Sequence, residues 1–219
     1  MRFIQHLLAV ASLSLFAATA GASPTAPVNG TDYRTLEKAQ QVDSGKKVEV
    51  TEFFWYSCPH CSALEPALEA WVKKQGDKIN FKRVPVAFRD SFIPQQKLYY
   101  SLEALGLVNS LHGKVFRAIH VERQPLDTDK QIADFIAKQG VDAKKFAEVY
   151  NSFGIQSKVQ RATQLQGAYK VDGVPMIAID GRYITSPSIV GASLGNRPEA
   201  ILHDATLQVM DWLVTKSAK

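Results

Sequence analysis

The sequence predicts an α/β fold: one sheet domain interrupted by an inserted helical domain. Three observations point to it. Residues 48–56 are a run of β-branched and aromatic residues that gives way to helical spacing from residue 61. Residues 91–154 then carry helical periodicity only. After them a strand pattern returns, folds back at Asp180-Gly181 and ends in one more helical stretch.

Composition bounds the class. At 219 residues, 46% hydrophobic and 21% charged, the chain suits one globular domain, or one domain with an insertion. Residues 1–22 stand apart: Arg2 is a short basic start, 7–18 are apolar, and Ala18, Ala20 and Ala22 offer small-residue cleavage sites. This is the pattern of a signal peptide, too short for a membrane span and without a stop-transfer flank, with cleavage expected after Ala22 and after Ala20 as second choice. No later run approaches the roughly 20 apolar residues of a membrane helix, so an exported, soluble protein is expected. Removing Arg2 takes the 26 basic residues to 25 against 21 acidic ones, a net charge of +4. The cations occur as scattered pairs such as Lys46-Lys47 and Lys144-Lys145. Such pairs make ordinary solvated faces and argue against a nucleic-acid partner. The mature chain divides into 23–90, the first part of the sheet domain; 91–154, the helical insertion; and 155–219, the second part.

Each element has its own reason. Residues 23–29 are a proline-containing lead-in, and 31–36 fit a short first strand. The mostly apolar run 48–56 suits a central strand buried on both faces. From Cys61 to Gln75, Leu64, Ala67, Leu68, Trp71 and Val72 share one helical face. Pro59 is tolerated in the first turn, whereas Pro66 lacks an N–H that the helix requires and predicts a kink. Residues 79–88 are the next strand, interrupted by Pro85. In the insertion, Leu98, Leu102 and Leu105 share a face, as do Val108, Leu111, Val115 and Ile119. Thr128 with Gln131 opens a capped helix that ends at Gly140, and Asp142 opens another to Tyr150. Residues 155–170 form one long helix leading back to the sheet. Residues 174–179 and 182–185 are two strands of a hairpin, 186–197 a loop, and the last helix starts near Asn196 with Pro198 as its first residue.

The chemistry centres on Cys58-Pro59-His60-Cys61, which holds the only two cysteines of the chain. A C-x-x-C pair between a strand and a helix is a dithiol redox signature. Cys58, at the helix start, faces unpaired backbone N–H groups and the positive end of the helix dipole, which stabilise a thiolate. It should attack, and Cys61, one turn in, should resolve. His60 as imidazolium would stabilise the thiolate further and make the pair a better oxidant. A purely structural disulfide is a poor alternative, because so short a loop gains little entropy. A zinc site would need two more ligands at suitable spacing, and His60, His112, His120 and His203 form no such pair, so no metal is expected.

Gly173-Val174-Pro175 heads the returning strand, where a proline removes a ladder hydrogen bond. One reading is the start of an edge strand. The other is a cis-proline loop facing the dithiol, with Val174 offering backbone groups to an incoming peptide.

Taken in order, Glu52-Phe53-Phe54, the C-P-H-C tetrad, a helical insertion, and Gly173-Val174-Pro175 before an Asp-Gly hairpin closely resemble the DsbA family. These are periplasmic thiol:disulfide interchange proteins of Gram-negative bacteria. The resemblance covers essentially the whole mature chain. It implies a thioredoxin-like fold with an inserted helical domain and a monomeric, periplasmic enzyme. Its activity would be to donate the Cys58–Cys61 disulfide to reduced, unfolded exported proteins without a cofactor, with reoxidation by a DsbB-like membrane quinone reductase. It also implies Pro175 as a cis-proline. A low thiolate pKa and a strongly oxidising couple are properties of the family and come with the resemblance. Thioredoxin-like proteins keep a buried acid six residues before the first cysteine, where Glu52 sits, with a basic partner on the adjacent strand. That makes Glu52 a proton shuttle paired with Lys82 or Arg83; a carboxylate reaching water from the strand end is the alternative. A disulfide isomerase or reductant, and a peptide-binding chaperone module, are the rival functions; the short stretch before the first long strand leaves no room for an isomerase's dimerisation domain. The reduced form is expected to be the more stable at neutral pH, with loop closure and thiolate stabilisation balancing when the folded pKa of Cys58 is roughly 5.6.

Overall fold

The computed structural model describes residues 26–218. The signal peptide expected at 1–22 lies outside them. The strands are β1 (Arg34–Thr35), β2 (Val48–Phe54), β3 (Ile79–Pro85), β4 (Met176–Ile179) and β5 (Tyr183–Thr185), in the sheet order β1-β5-β4-β2-β3. β2 runs parallel to β3; the β2–β4, β4–β5 and β5–β1 pairs are antiparallel. The helices are α1 (Pro59–Gln75), α2 (Ile93–Ala104), α3 (Val108–His120), α4 (Asp129–Lys138), α5 (Ala143–Tyr150), α6 (Phe153–Ala168), α7 (Pro187–Leu194) and α8 (Glu199–Ser217). This is a thioredoxin-like fold with an inserted helical domain, as expected.

β2 is the axis of the molecule, with all seven residues buried. Its alternate side chains serve two cores. On one face Val48 and Val50 meet Leu64, Leu68 and Trp71 of α1 and Val209, Met210 and Leu213 of α8. On the other, Phe53 joins Tyr169 and the apolar faces of the inserted helices, including Leu98, Leu102, Val115 and Ile136. Each such side chain contributes roughly 1.5–3 kcal/mol on burial. β3 stops at Pro85, whose ring leaves no N–H for a further rung. The backbone crosses over there: Val86 N–H donates to Phe54 O, and Gln96 Nε2 donates to Pro85 O.

Local signals account for most boundaries. Thr128, Asp142 and Ser152 cap α4, α5 and α6 through their side-chain oxygens. Gln131 returns its side-chain oxygen to Asp127 N–H, one residue before the cap. α1 continues through Pro66 to Gln75. In the hairpin, Asp180 and Gly181 both take positive φ, 51° and 64°. A Cβ on Gly181 would lie 2.3 Å from Gln40 O.

Three expectations change. The first strand shrinks to Arg34–Thr35, because Asp32 ties the preceding residues into a turn by accepting from Val28 N–H at 2.8 Å. The stretch 186–197, expected as a loop, contains the helix α7. Ser186 caps it by accepting from Ile189 N–H, and Pro187 occupies the first turn. Pro198 is the N-cap of α8 and not its first helical residue.

Candidate active site

The turn from β2 into α1 places Cys58 at the N-cap of α1, with φ −77° and ψ 116°. Cys58 N–H donates to Trp55 O at 3.0 Å, and Pro59 follows in the first turn, where a missing N–H is harmless. The Cys58 Sγ accepts from Cys61 N–H at 3.3 Å. Both cysteines are free thiols; Cys61 is fully buried and Cys58 6% exposed. Their acidities part. A hydrogen bond from the Cys61 thiol lowers the Cys58 pKa to about 7, against the opposing effect of burial. The N–H groups of Cys61 and His60 help, and the charge of His60 comes last. Burial, with the neighbouring sulfur and Glu52, pushes Cys61 well above the usual thiol range.

Across from the dithiol, the Val174–Pro175 peptide bond is cis, and the Cys58 thiol donates to Val174 O at 3.4 Å. Beneath it lies Glu52, buried without exposure. Arg83 is its partner: Nε donates to Glu52 Oε2 at 3.0 Å, and the two residues are paired in the parallel register of β2 and β3. Lys82 points to the other face and binds Glu49 at 2.6 Å. The water-reaching alternative for Glu52 is therefore excluded. Burial raises its pKa to about 7.

The comparisons with known proteins agree with this geometry. A family model described as DSBA-like thioredoxin domain matches residues 83–205. A thiol:disulfide interchange protein DsbA of Burkholderia cepacia is 47% identical over 204 residues, covering 93% of this chain and 92% of the relative. One from Bordetella pertussis is 41% identical, covering 98% of this chain and 97% of the relative. The crystal structure of Pseudomonas aeruginosa DsbA superposes with a TM-score of 0.77 at 35% identity, covering 85% of this chain and 92% of that one. The chain belongs to the DsbA family. It is a thiol:disulfide oxidoreductase.

Several features of this DsbA-family site were not foreseen from sequence. Arg83 also donates to Glu65 of α1, through Nη2 at 2.5 Å. Glu65 in turn faces His112 Nε2 at 3.4 Å, and His112 Nδ1 lies 2.8 Å from the Tyr56 hydroxyl. Glu65 follows Leu64 and precedes Leu68 on the buried face of α1, so its spacing was a usable signal. His112 likewise follows Leu111 on the buried face of α3. His60 points away from the groups that hold Glu52: its Nδ1 lies 2.8 Å from Glu199 Oε1 at the start of α8. That contact joins residues 139 apart, and no local pattern could announce it. Beside the dithiol runs a cleft of about 520 Å³ lined by His60, Val174, Pro175, Met176, Ile189 and Leu202, among others.

Proposed function

We propose that the chain is a periplasmic, monomeric oxidant that passes its Cys58–Cys61 disulfide to reduced, unfolded exported proteins and is reoxidised by a DsbB-like membrane quinone reductase. The observation that carries this is the placement of Cys58 Sγ at the N-cap of α1, 3.3 Å from Cys61 N–H and 3.4 Å from Val174 O beside the cis-proline. A client thiolate attacks Cys58 Sγ, the Cys58–Cys61 bond breaks, and Cys61 Sγ leaves with the electron pair. Cys61 holds a proton far more strongly than Cys58, so it takes one up; Glu52, with a pKa of about 7, supplies it and takes it back when Cys61 is reoxidised. The client's second thiolate then attacks its own sulfur in the mixed disulfide, and Cys58 departs as the stabler thiolate. Two electrons have moved from client to enzyme. Pro59 sets the first turn of the helix that stabilises this leaving group. Val174 would pair its backbone with the client, and Pro175 would shape the cleft that receives it.

Periplasmic placement is supported by the export signal in the sequence. In addition, no helix of the described residues is long and apolar enough to cross a membrane. The test is oxidation of a reduced, unfolded two-cysteine protein by the oxidised enzyme. Stoichiometric loss of client thiols is expected, and Cys61→Ala, which has no disulfide to donate, should oxidise none. Reactivation of a scrambled disulfide protein without net thiol loss would instead favour an isomerase. Binding of peptides with no thiol-dependent turnover would leave only a chaperone module.

A further inference from the structure

His60 and Glu199 meet at the mouth of the client cleft, one from the first turn of α1 and the other from the first turn of α8. The His60 ring is 69% exposed and the Glu199 carboxylate 45%, so the 2.8 Å pair contributes little to stability. Its neighbours are more telling. Cys58 lies two residues from His60. On α8, His203 Nε2 is 3.6 Å from the same Glu199 oxygen, and this buried nitrogen has no hydrogen-bond partner among the described residues. Arg34, Asp172 and Arg197 line the same cleft. One carboxylate oxygen therefore takes the histidine of the C-P-H-C tetrad and faces a second imidazole.

We propose that Glu199 is a positioning residue of the redox centre, which holds His60 against the start of α8 so that the histidine acts on Cys58 as half of an ion pair and not as a free ring. The proposal rests on the dithiol reading above and adds a residue from outside the tetrad. Charge counting shows the consequence. A free histidine, with a pKa of ~6.5, is mostly neutral at pH 7. Bound to Glu199, His60 keeps its proton to higher pH. The pair as a whole is then neutral: the imidazolium cancels a carboxylate that would otherwise oppose the Cys58 thiolate. While that proton is held, removing His60 exposes that carboxylate. Removing both residues removes the opposition too.

A double-mutant cycle at pH 7 tests this, reading the thiol–disulfide equilibrium constant with glutathione for the parent, His60→Ser, Glu199→Gln and the double variant. With Glu199 present, His60→Ser should make the enzyme a weaker oxidant by about threefold to tenfold. In the Glu199→Gln background the same change should shift the constant by less than about twofold. Molar salt should shrink the first effect, because the charges involved are exposed. Nuclear magnetic resonance titration of His60 should move to lower pH in Glu199→Gln. Equal effects of His60→Ser in both backgrounds, or an unmoved His60 titration, would overturn the proposal. The imidazole titration needs no client, so a failure of the oxidant reading would show separately, as absent turnover in the parent protein.

Discussion

Arg83 Nε donates to Glu52 Oε2 at 3.0 Å, and the same guanidinium donates to Glu65, so one buried cation serves two buried carboxylates. Its three charges come from β2, β3 and α1, the elements that converge under Cys61. Burial is the largest cause raising each acid to about 7. His112, facing Glu65, is driven down to about 3 by burial and by Arg83, and so stays neutral. Its two ring nitrogens then have different roles. Nδ1 shares a hydrogen bond with the Tyr56 hydroxyl at 2.8 Å, and Nε2 faces Glu65 at 3.4 Å.

The surplus carboxylate makes stability fall with pH. An acid whose folded pKa is raised binds more protons folded than unfolded between about 4.5 and 7, and stability is lost as pH rises through that window. Glu52→Gln removes the surplus charge and leaves Arg83 balanced by Glu65. By thermal unfolding its stability should match the parent at pH 4 and exceed it at pH 8, by an amount on the order of 1–3 kcal/mol. A variant less stable at pH 8 would show that Arg83 needs both acids.

Arg83→Met should do the opposite. Two carboxylates would be left buried without a counter-ion, at a cost of about 3–5 kcal/mol at neutral pH. Most of that loss should vanish near pH 5, where both acids can take protons. Denaturant unfolding at the two pH values reads the difference directly; a pH-independent loss would point to packing of the Arg83 stem.

How far these features could be read from sequence depends on the distance over which they are specified. The dithiol, its helix and the cis-proline loop are announced by residues adjacent in the chain, and Asp180-Gly181 by the φ > 0 it requires. Glu52 stood out as a charge in an apolar strand, but choosing Arg83 over Lys82 needs the register of β3, which no local pattern contains. Glu65 and His112 were hidden among apolar neighbours on helices whose periodicity was read for core alone. The helix α7 lies in a stretch expected as loop, although Ser186-Pro187 is the same cap-and-proline signal used elsewhere. Glu199 touches His60 only because α8 starts its path beside the first turn of α1.

The division of labour between the thiols should be visible in alkylation of the reduced protein. Cys58, with a pKa of about 7, should react with iodoacetamide increasingly from pH 6 to 8. Cys61, buried and held protonated, should stay unmodified over the same range. Mass spectrometry of single-hit protein distinguishes the two sites, and equal labelling would reverse the assigned roles.

The hairpin offers a check on the fold that does not touch the redox centre. Gly181→Ala would place a methyl 2.3 Å from Gln40 O at a φ of 64°. Either the hairpin or the 36–40 segment must move, and both are fastened by Gln40 N–H to Gly181 O at 2.7 Å. A loss of about 2 kcal/mol or more is expected, with the Cys58 thiolate titration unchanged. A neutral substitution would mean that this connection is loosely held.

The relative stability of the two redox forms should turn over with pH. Closing the short Cys58–Cys61 loop stabilises the oxidised form by only ~2 kcal/mol. In the reduced form Cys58 has a depressed pKa, about 7 against an unfolded 9.0. A depressed acid contributes fully above its unfolded pKa, and the contribution is lost as pH falls through the folded one. Between pH 7 and 9 the reduced form should therefore gain about 1 kcal/mol per pH unit, from roughly 0.4 to roughly 2.3 kcal/mol. With a pKa of about 7, the balance expected at neutral pH for a value of roughly 5.6 moves to the alkaline side, near pH 8.6 by the same arithmetic. Glu52 and Glu65 also titrate near 7, but they are present in both forms and largely cancel in the difference. Cys61 works against the trend only above pH 9, where its unfolded thiol ionises and its buried one does not. Calorimetric melting of oxidised and reduced protein from pH 6 to 9 gives the comparison. The midpoints should converge as pH rises and cross on the alkaline side; a gap that stays constant would mean that the Cys58 thiolate is not stabilised by the fold.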